Sequence, residues 1–114
     1  MDTEEKISFN KTEFIEKETE AYVLNWLVPN AQKNAMEPVH MILKGGNETD
    51  EDIPHEGEEF GYVLKGEIIL SLGKRRIKVK KGESFYFKAD KVHKIINRQD
   101  SNAEFIWVSS PPSF

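Results

Sequence analysis

Two histidines and one glutamate stand at spacings that set them apart from the other polar residues of the chain. His55 precedes Glu59 by four positions, and Gly66 follows Glu59 by seven. Further along, His93 precedes Asn97 by four positions. Imidazole nitrogens and carboxylate oxygens bind transition metals, and imidazole also hydrogen-bonds to water or to anionic ligands. The chain has no cysteine, which excludes thiolate metal sites, thiol nucleophiles and disulfides.

The size and charge of the chain indicate a small soluble protein. It has 114 residues and a formal net charge of −4, with acidic and basic residues interspersed. We expect a single domain over residues 1–114, with residues 1–10 flexible, in the cytoplasm. The first residues, MDTEEK, are too polar for a secretory signal, and no apolar run approaches the roughly 20 residues of a membrane span. The charge balance argues against direct contact with nucleic acid.

Short segments rich in aromatic and β-branched residues recur between breaks that contain glycine or proline, and each is predicted to be a strand. The predicted strands are Glu20–Val28, Pro38–Leu43, Phe60–Lys65, Glu67–Leu72, Arg76–Lys80, Glu83–Phe87, Val92–Asn97 and Glu104–Ser109. Helical periodicity is nearly absent, and Glu13–Glu20 allows one helical turn at most. The acidic segment Glu48–Asp52 is predicted to be a solvated loop.

The number of short strands predicts an all-β fold. Many such strands separated by regular glycine breaks indicate a β-sandwich or a closed barrel. A closed barrel would also remove the exposed edges that so many strands would otherwise present to solvent.

The segment 53–97 resembles the two sequence motifs of the cupin superfamily. The motif positions that fit are His55, Glu59, Gly66, Gly82, His93 and Asn97. The fit fails at Ile53, where the first motif has its first histidine, and at Lys88 and Asp90, where the second motif has proline and glycine. The resemblance implies a double-stranded β-helix, or jelly-roll, barrel.

In cupins, ligands on strands distant in sequence point into the barrel, so the resemblance implies one divalent metal ion at His55, Glu59 and His93. Two imidazoles and one carboxylate suit Zn, Fe, Mn or Ni and leave coordination positions open. Ile53 cannot supply the fourth ligand of a full cupin site, so the affinity is lowered and the site is expected to be weak or empty of metal. Alternatively, the two histidines hydrogen-bond to each other, to water or to an anionic ligand. Gly61 is expected to keep the wall of a ligand pocket small.

Three stretches are similar to the cupin domain of helix-turn-helix transcriptional regulators of the XRE type. They are Pro54–Glu67, Gly82–Phe87 and Ser110–Phe114. The resemblance implies a module that senses a small-molecule effector, either as part of a regulator or as a stand-alone relative. Because cupins commonly pair edge strands, we also expect a homodimer to which strands near Glu20–Val28 contribute.

Two other functions remain open at this stage. One is a metal-dependent enzyme of the dioxygenase or isomerase type, and the other is a structural dimerisation barrel with an emptied site. An enzyme would need a charged general acid or base beside the metal, and the sequence places none there, so no catalytic residue is assigned. The missing fourth ligand and the regulator-like stretches favour the sensor.

Overall fold

The computed structural model describes residues 5–114, so residues 1–4 of the segment predicted to be flexible lie outside it. Over the described residues the chain forms nine β-strands and one short 3-10 helix, Ala31–Lys33. The strands are β1 (Ile15–Glu18), β2 (Tyr22–Trp26), β3 (Glu37–Leu43), β4 (Glu58–Lys65), β5 (Glu67–Leu72), β6 (Arg75–Lys80), β7 (Ser84–Lys88), β8 (His93–Ile96) and β9 (Ala103–Ser110).

Strand β1 occupies the segment that allowed one helical turn, so that interpretation is wrong. Ile15 to Glu18 pair antiparallel with β2, and Ile15 lies opposite Trp26. All four residues of β1 are exposed, so the strand is held by its backbone pairing and not by burial of its side chains. Local helical preference is a weak signal, and a neighbouring strand that satisfies the backbone groups overrides it.

The strands form two antiparallel sheets, one of six strands in the order β1-β2-β3-β9-β4-β7 and one of three in the order β6-β5-β8. Strand β9, the last in the chain, lies between β3 and β4. Strands that are neighbours in the sheet are therefore distant in sequence, as in a jelly roll. This architecture confirms the predicted all-β cupin fold.

The core lies between the sheets and is filled by inward-facing residues of every strand except β1. In β9, Phe105 and Trp107 are buried, and Trp107 lies opposite Val39 on one side and Gly61 on the other. The same alternation in β4 turns Glu59 and Val63 inward. The carboxylate of Glu59 is thereby carried into the barrel.

The acidic segment Glu48–Asp52 contains no regular strand and is largely exposed, as predicted for a solvated loop, but it is tied to β8 at several points. Asp52 and His93 exchange both backbone hydrogen bonds, at 2.8 and 3.1 Å. Thr49 is buried, and its N–H donates to the Ile95 carbonyl at 2.9 Å. These contacts supply partners for backbone groups of β8.

Gly57 lets the chain turn between His55 and Glu59. Its φ is 123°, which residues with a side chain rarely adopt. A Cβ at this position would also collide with the carbonyl oxygen of Ser110 on the neighbouring β9. Hydrogen bonds from the His55 N–H to the Ala89 carbonyl and from the Ala89 N–H to the Gly57 carbonyl fix the turn, at 2.8 and 3.0 Å.

We predict that Gly57→Ala lowers the free energy of unfolding by about 2–3 kcal/mol, because it combines backbone strain with a steric collision. Gly46→Ala is the control, since Gly46 also has a positive φ, 74°, but open space around it. It should cost only about 1 kcal/mol. Denaturant unfolding followed by tryptophan fluorescence measures both values, and equal losses would contradict the steric argument.

Candidate metal centre and ligand cavity

The buried carboxylate of Glu59 is the centre of the site. The indole Nε1–H of Trp107 donates to Oε1 at 2.8 Å. The other oxygen, Oε2, lies 3.0 Å from Nε2 of His55 and 3.1 Å from Nε2 of His93. A carboxylate without solvent contact must be satisfied by the protein, and here the partners come from different elements of the barrel.

Both nitrogens of each imidazole face an oxygen that only accepts hydrogen bonds. Nδ1 of His93 lies 2.8 Å from the carbonyl oxygen of Lys91, and Nδ1 of His55 lies 3.1 Å from that of Glu56. Nε2 of each ring faces Oε2 of Glu59. A neutral imidazole carries only one N–H, so it cannot donate to both of its neighbours. The cluster is therefore fully satisfied only with an added cation, which is either a proton or a metal ion.

The environment of His93 favours the proton when metal is absent. Burial lowers the pKa of His93, but its hydrogen bonds to Glu59 and to the Lys91 carbonyl, together with the charges of Glu59 and Asp52, outweigh burial. The net effect raises the pKa of His93 above its usual value. A metal ion at this position would have to displace that proton.

The donor set fits a transition-metal ion. One ligand atom from each of His55, Glu59 and His93 lies within 4.8 Å of the others. The second nitrogen of each imidazole is held by a backbone carbonyl, which is the outer support typical of metal-binding histidines. Trp107 occupies the second oxygen of Glu59 and leaves Oε2 to face the histidines.

Asp52 lies beside this cluster and contacts one of its members, His93, although the sequence did not indicate it. Its Oδ2 lies 3.5 Å from Nε2 of His93, and its side chain is 45% exposed. Burial raises the pKa of Asp52; the positive charge of His93 opposes the shift and the negative charge of Glu59 adds to it. The cupin motif has a metal ligand at the position of Ile53. In this chain the Ile53 side chain is 78% exposed and points away from the cluster.

A cavity of about 290 Å³ adjoins the cluster inside the barrel. Asp52 and Trp107 line it and also contact the cluster, so the two regions share a wall. Its apolar lining is Tyr22, Leu24, Trp26, Met41, Trp107 and Phe114, and its polar lining is Lys17, Thr49, Asp50, Asp52 and Ser113.

A second buried carboxylate, that of Glu37, fixes the far wall of this cavity. Its Oε1 accepts hydrogen bonds from the backbone N–H groups of Ser113 and Phe114, at 3.0 and 2.8 Å. Its Oε2 accepts from Nε1 of Trp26 at 2.9 Å. The ring of Phe114 is thereby held edge-on to Trp107, with ring centroids 4.8 Å apart. Glu37 gave no signal in the sequence, because nothing in a strand pattern indicates that one glutamate faces inward.

Three other residues considered from the sequence lie elsewhere. Gly61 is buried against the ring of Phe85, which a Cβ would overlap, and it does not line the cavity. His40 lies 3.2 Å from the carboxylate of Glu104, outside the cluster. Asn97 is buried and donates to the carbonyls of Leu43 and Ser101, so it ties the end of β3 to the loop before β9 and is not part of the cluster.

Comparison with known proteins identifies the family. The model of the cupin domain family matches residues 39–109, which include all the motif positions. The chain belongs to the cupin domain family. Among the described residues, no helix is long and apolar enough to cross a membrane.

The curated relatives are regulators. The chain is 27% identical over 112 residues to the HTH-type transcriptional regulator PuuR of Escherichia coli K12 and of Shigella flexneri. The match covers 97% of this chain but spans only 60% of the length of those relatives.

Solved structures with the same fold include a regulator domain and an enzyme. The cupin domain of an XRE family transcriptional regulator from Enterobacter cloacae has a TM-score of 0.72 and 23% identity, covering 82% of this chain and 100% of that one. Hydroxypropylphosphonic acid epoxidase from S. wedmorenis has a TM-score of 0.76 and 23% identity, covering 90% of this chain and 58% of that one. At this identity the comparison shows the fold and not the activity.

We predict that the metal-free protein loses stability as the pH rises through the raised pKa of His93. The folded state holds this proton more tightly than the unfolded chain, so its contribution is complete below about pH 6.5, the unfolded value, and is lost above the folded pKa. Urea unfolding of chelator-treated protein across this range measures the effect. His93→Gln should remove most of it, whereas a slope unchanged in that variant would assign the dependence to another group.

Proposed function

We propose that this chain is a cupin module that binds a small-molecule effector beside a divalent metal ion, as the sensor part of a transcriptional regulator or as a stand-alone relative of one. The observation that carries the proposal is the convergence of the Nε2 atoms of two imidazoles on Oε2 of Glu59, next to a cavity lined by Asp52 and Trp107, which both contact that cluster. We infer further that residues 1–114 form a single domain that acts in the cytoplasm.

In this proposal His55, Glu59 and His93 hold the metal ion, which would be Zn, Fe, Mn or Ni. A bound ion of this kind supplies a Lewis acid with open coordination positions for an oxygen or nitrogen atom of the effector. The chain itself keeps the ligand atoms in place, because Trp107 fixes Glu59 and backbone carbonyls fix both imidazoles. Metal affinity should fall as the pH drops and the histidines protonate.

The cavity determines what class of effector fits. A volume of about 290 Å³ lies at the lower end of the range for ligand pockets, which favours a small metabolite over a polymer. Aromatic rings of Tyr22, Trp26, Trp107 and Phe114 supply apolar walls. The charged groups in the lining are few, namely Lys17, Asp50 and Asp52, and such groups are suited to orienting the molecule.

The regulator role rests on the curated relatives, which are HTH-type transcriptional regulators. Binding of an effector would change the association of two copies and so alter the DNA-binding part of such a regulator. No contact of this chain with nucleic acid is needed in that scheme. A metal-dependent enzyme is the rival, since the same fold occurs in an epoxidase.

We propose a homodimer formed by the outer face of the six-stranded sheet. From the sequence, the interface was expected near β2. Both edges of β2 are already paired within the sheet, one with β1 and the other with β3. Large apolar side chains are exposed further along the same sheet, at Phe60, Tyr62 and Leu64 of β4 and Tyr86 of β7. An exposed apolar group of this size is typical of an interaction surface.

We predict that Tyr86→Lys converts the dimer to a monomer, because it places a charge in the proposed interface, opposite Phe60. Ser101→Lys adds the same charge to an exposed loop and should leave the dimer intact. Light scattering at a protein concentration of tens of micromolar gives the molar mass. A wild type that is monomeric under these conditions would rule out the dimer.

We predict that His93→Ala abolishes metal binding. Loss of an outer-shell partner lowers metal affinity roughly 10–100-fold, and loss of a direct ligand should lower it further. The fold should persist, because the lost imidazole leaves a small polar gap that water can fill. His40→Ala is the matched control, since His40 lies outside the cluster. Calorimetric titration with Zn, Mn and Ni measures the affinities.

The same variants separate a sensor from an enzyme. A sensor binds candidate small molecules more weakly in His93→Ala than in the wild type, and neither protein turns them over. Steady product formation by the wild type, lost in His93→Ala, would establish the enzyme instead. Equal effector affinity in both proteins would show that the cluster is not part of the effector site.

A further inference from the structure

The backbone places the Asp52 side chain beside His93. The two residues are directly opposite each other and exchange both backbone hydrogen bonds, which makes them a hydrogen-bonded antiparallel pair. Side chains of such a pair lie on the same face of the ladder. The carboxylate of Asp52 is therefore directed toward the same region as the His93 imidazole, with Oδ2 3.5 Å from Nε2.

Two carboxylates thus face one imidazole nitrogen. Nε2 of His93 lies 3.1 Å from Oε2 of Glu59 and 3.5 Å from Oδ2 of Asp52. A divalent cation bound here would balance the negative charge of both carboxylates.

We propose that Asp52 is the fourth protein ligand of the metal centre, in place of the histidine that cupins have at the position of Ile53. This inference rests on the proposed metal centre. Asp52 lies outside the motif, one position before Ile53. Its side chain points toward His93, whereas the side chain of Ile53 points outward. The isolated antiparallel bridge between Asp52 and His93 is what brings Asp52 there.

The proposed ligand set has a chemical consequence. Two imidazoles and two carboxylates carry a charge of −2 and are rich in oxygen, which favours Mn and Fe more than a three-histidine set would. Asp52 also lines the cavity, so an effector would contact a metal ligand directly. Metal and effector binding are thereby coupled through one side chain.

The test compares Asp52→Asn with Glu51→Gln in the full chain after removal of metal with a chelator. Both changes remove one negative charge from the same segment. Asp52 is half-buried beside the cluster, whereas Glu51 is exposed and lies outside the cluster. Mn(II) affinity is measured by the loss of the free-ion electron paramagnetic resonance signal. The absorption spectrum of the Co(II)-loaded protein reports the coordination of the ion independently of any activity.

We expect Asp52→Asn and Asp52→Ala to lower the Mn(II) affinity by at least about 10-fold, since removal of even an outer-shell partner has an effect of this size. Both variants should also change the Co(II) spectrum. Glu51→Gln should bind like the wild type. Thermal unfolding of each metal-free variant verifies that the fold is retained.

The outcomes separate this inference from the proposed function. If Asp52→Asn binds Mn(II) and Co(II) like the wild type while His93→Ala does not, the metal centre stands and Asp52 is not a ligand. If Asp52→Asn and Glu51→Gln weaken binding equally, the effect is one of general charge, and the inference is overturned. If the wild type binds no metal, both the metal centre and this inference are wrong.

Discussion

Burial of the Glu59 carboxylate is the constraint on which the site depends. A carboxylate inside the barrel loses its hydration, and the protein has to replace it with donors or with a cation. Trp107 supplies one donor directly. Both histidines face the other oxygen, and each also faces a backbone carbonyl, so a neutral imidazole cannot satisfy both acceptors without an added proton or metal ion. The charge state of the cluster is therefore tied to what occupies it.

The position of this cluster within the barrel gives its occupancy a structural effect. Glu59 and Trp107 lie on β4 and β9 of the six-stranded sheet, whereas His93 lies on β8 of the three-stranded sheet. The Glu59–His93 contact thus joins the two sheets through polar groups in an otherwise apolar core. Whatever cation satisfies the contact also stabilises the packing of one sheet on the other. Such a link is suited to a sensor, because binding at the site acts on the barrel as a whole.

Glu37 performs a comparable structural role at the other side of the cavity. Its carboxylate is buried like that of Glu59, but it is satisfied entirely by neutral donors, namely Trp26 and the backbone of Ser113 and Phe114. It therefore requires no cation. The contrast between the two acids explains why one end of the cavity is a fixed wall and the other can respond to a metal ion or a proton.

The sequence by itself determined most of the strands and the all-β fold, and its resemblance to the cupin motifs selected His55, Glu59 and His93 as candidate site residues. Alternation and glycine breaks report strands because side chains in a strand alternate between faces. Only the tertiary structure decided the rest. The strand status of Ile15–Glu18 depends on pairing with β2, and the contact of Asp52 with His93 depends on a backbone bridge between residues far apart in the sequence. The anchoring of Phe114 depends on a hydrogen bond from its backbone to the side chain of Glu37. Such contacts leave no periodic trace in the sequence.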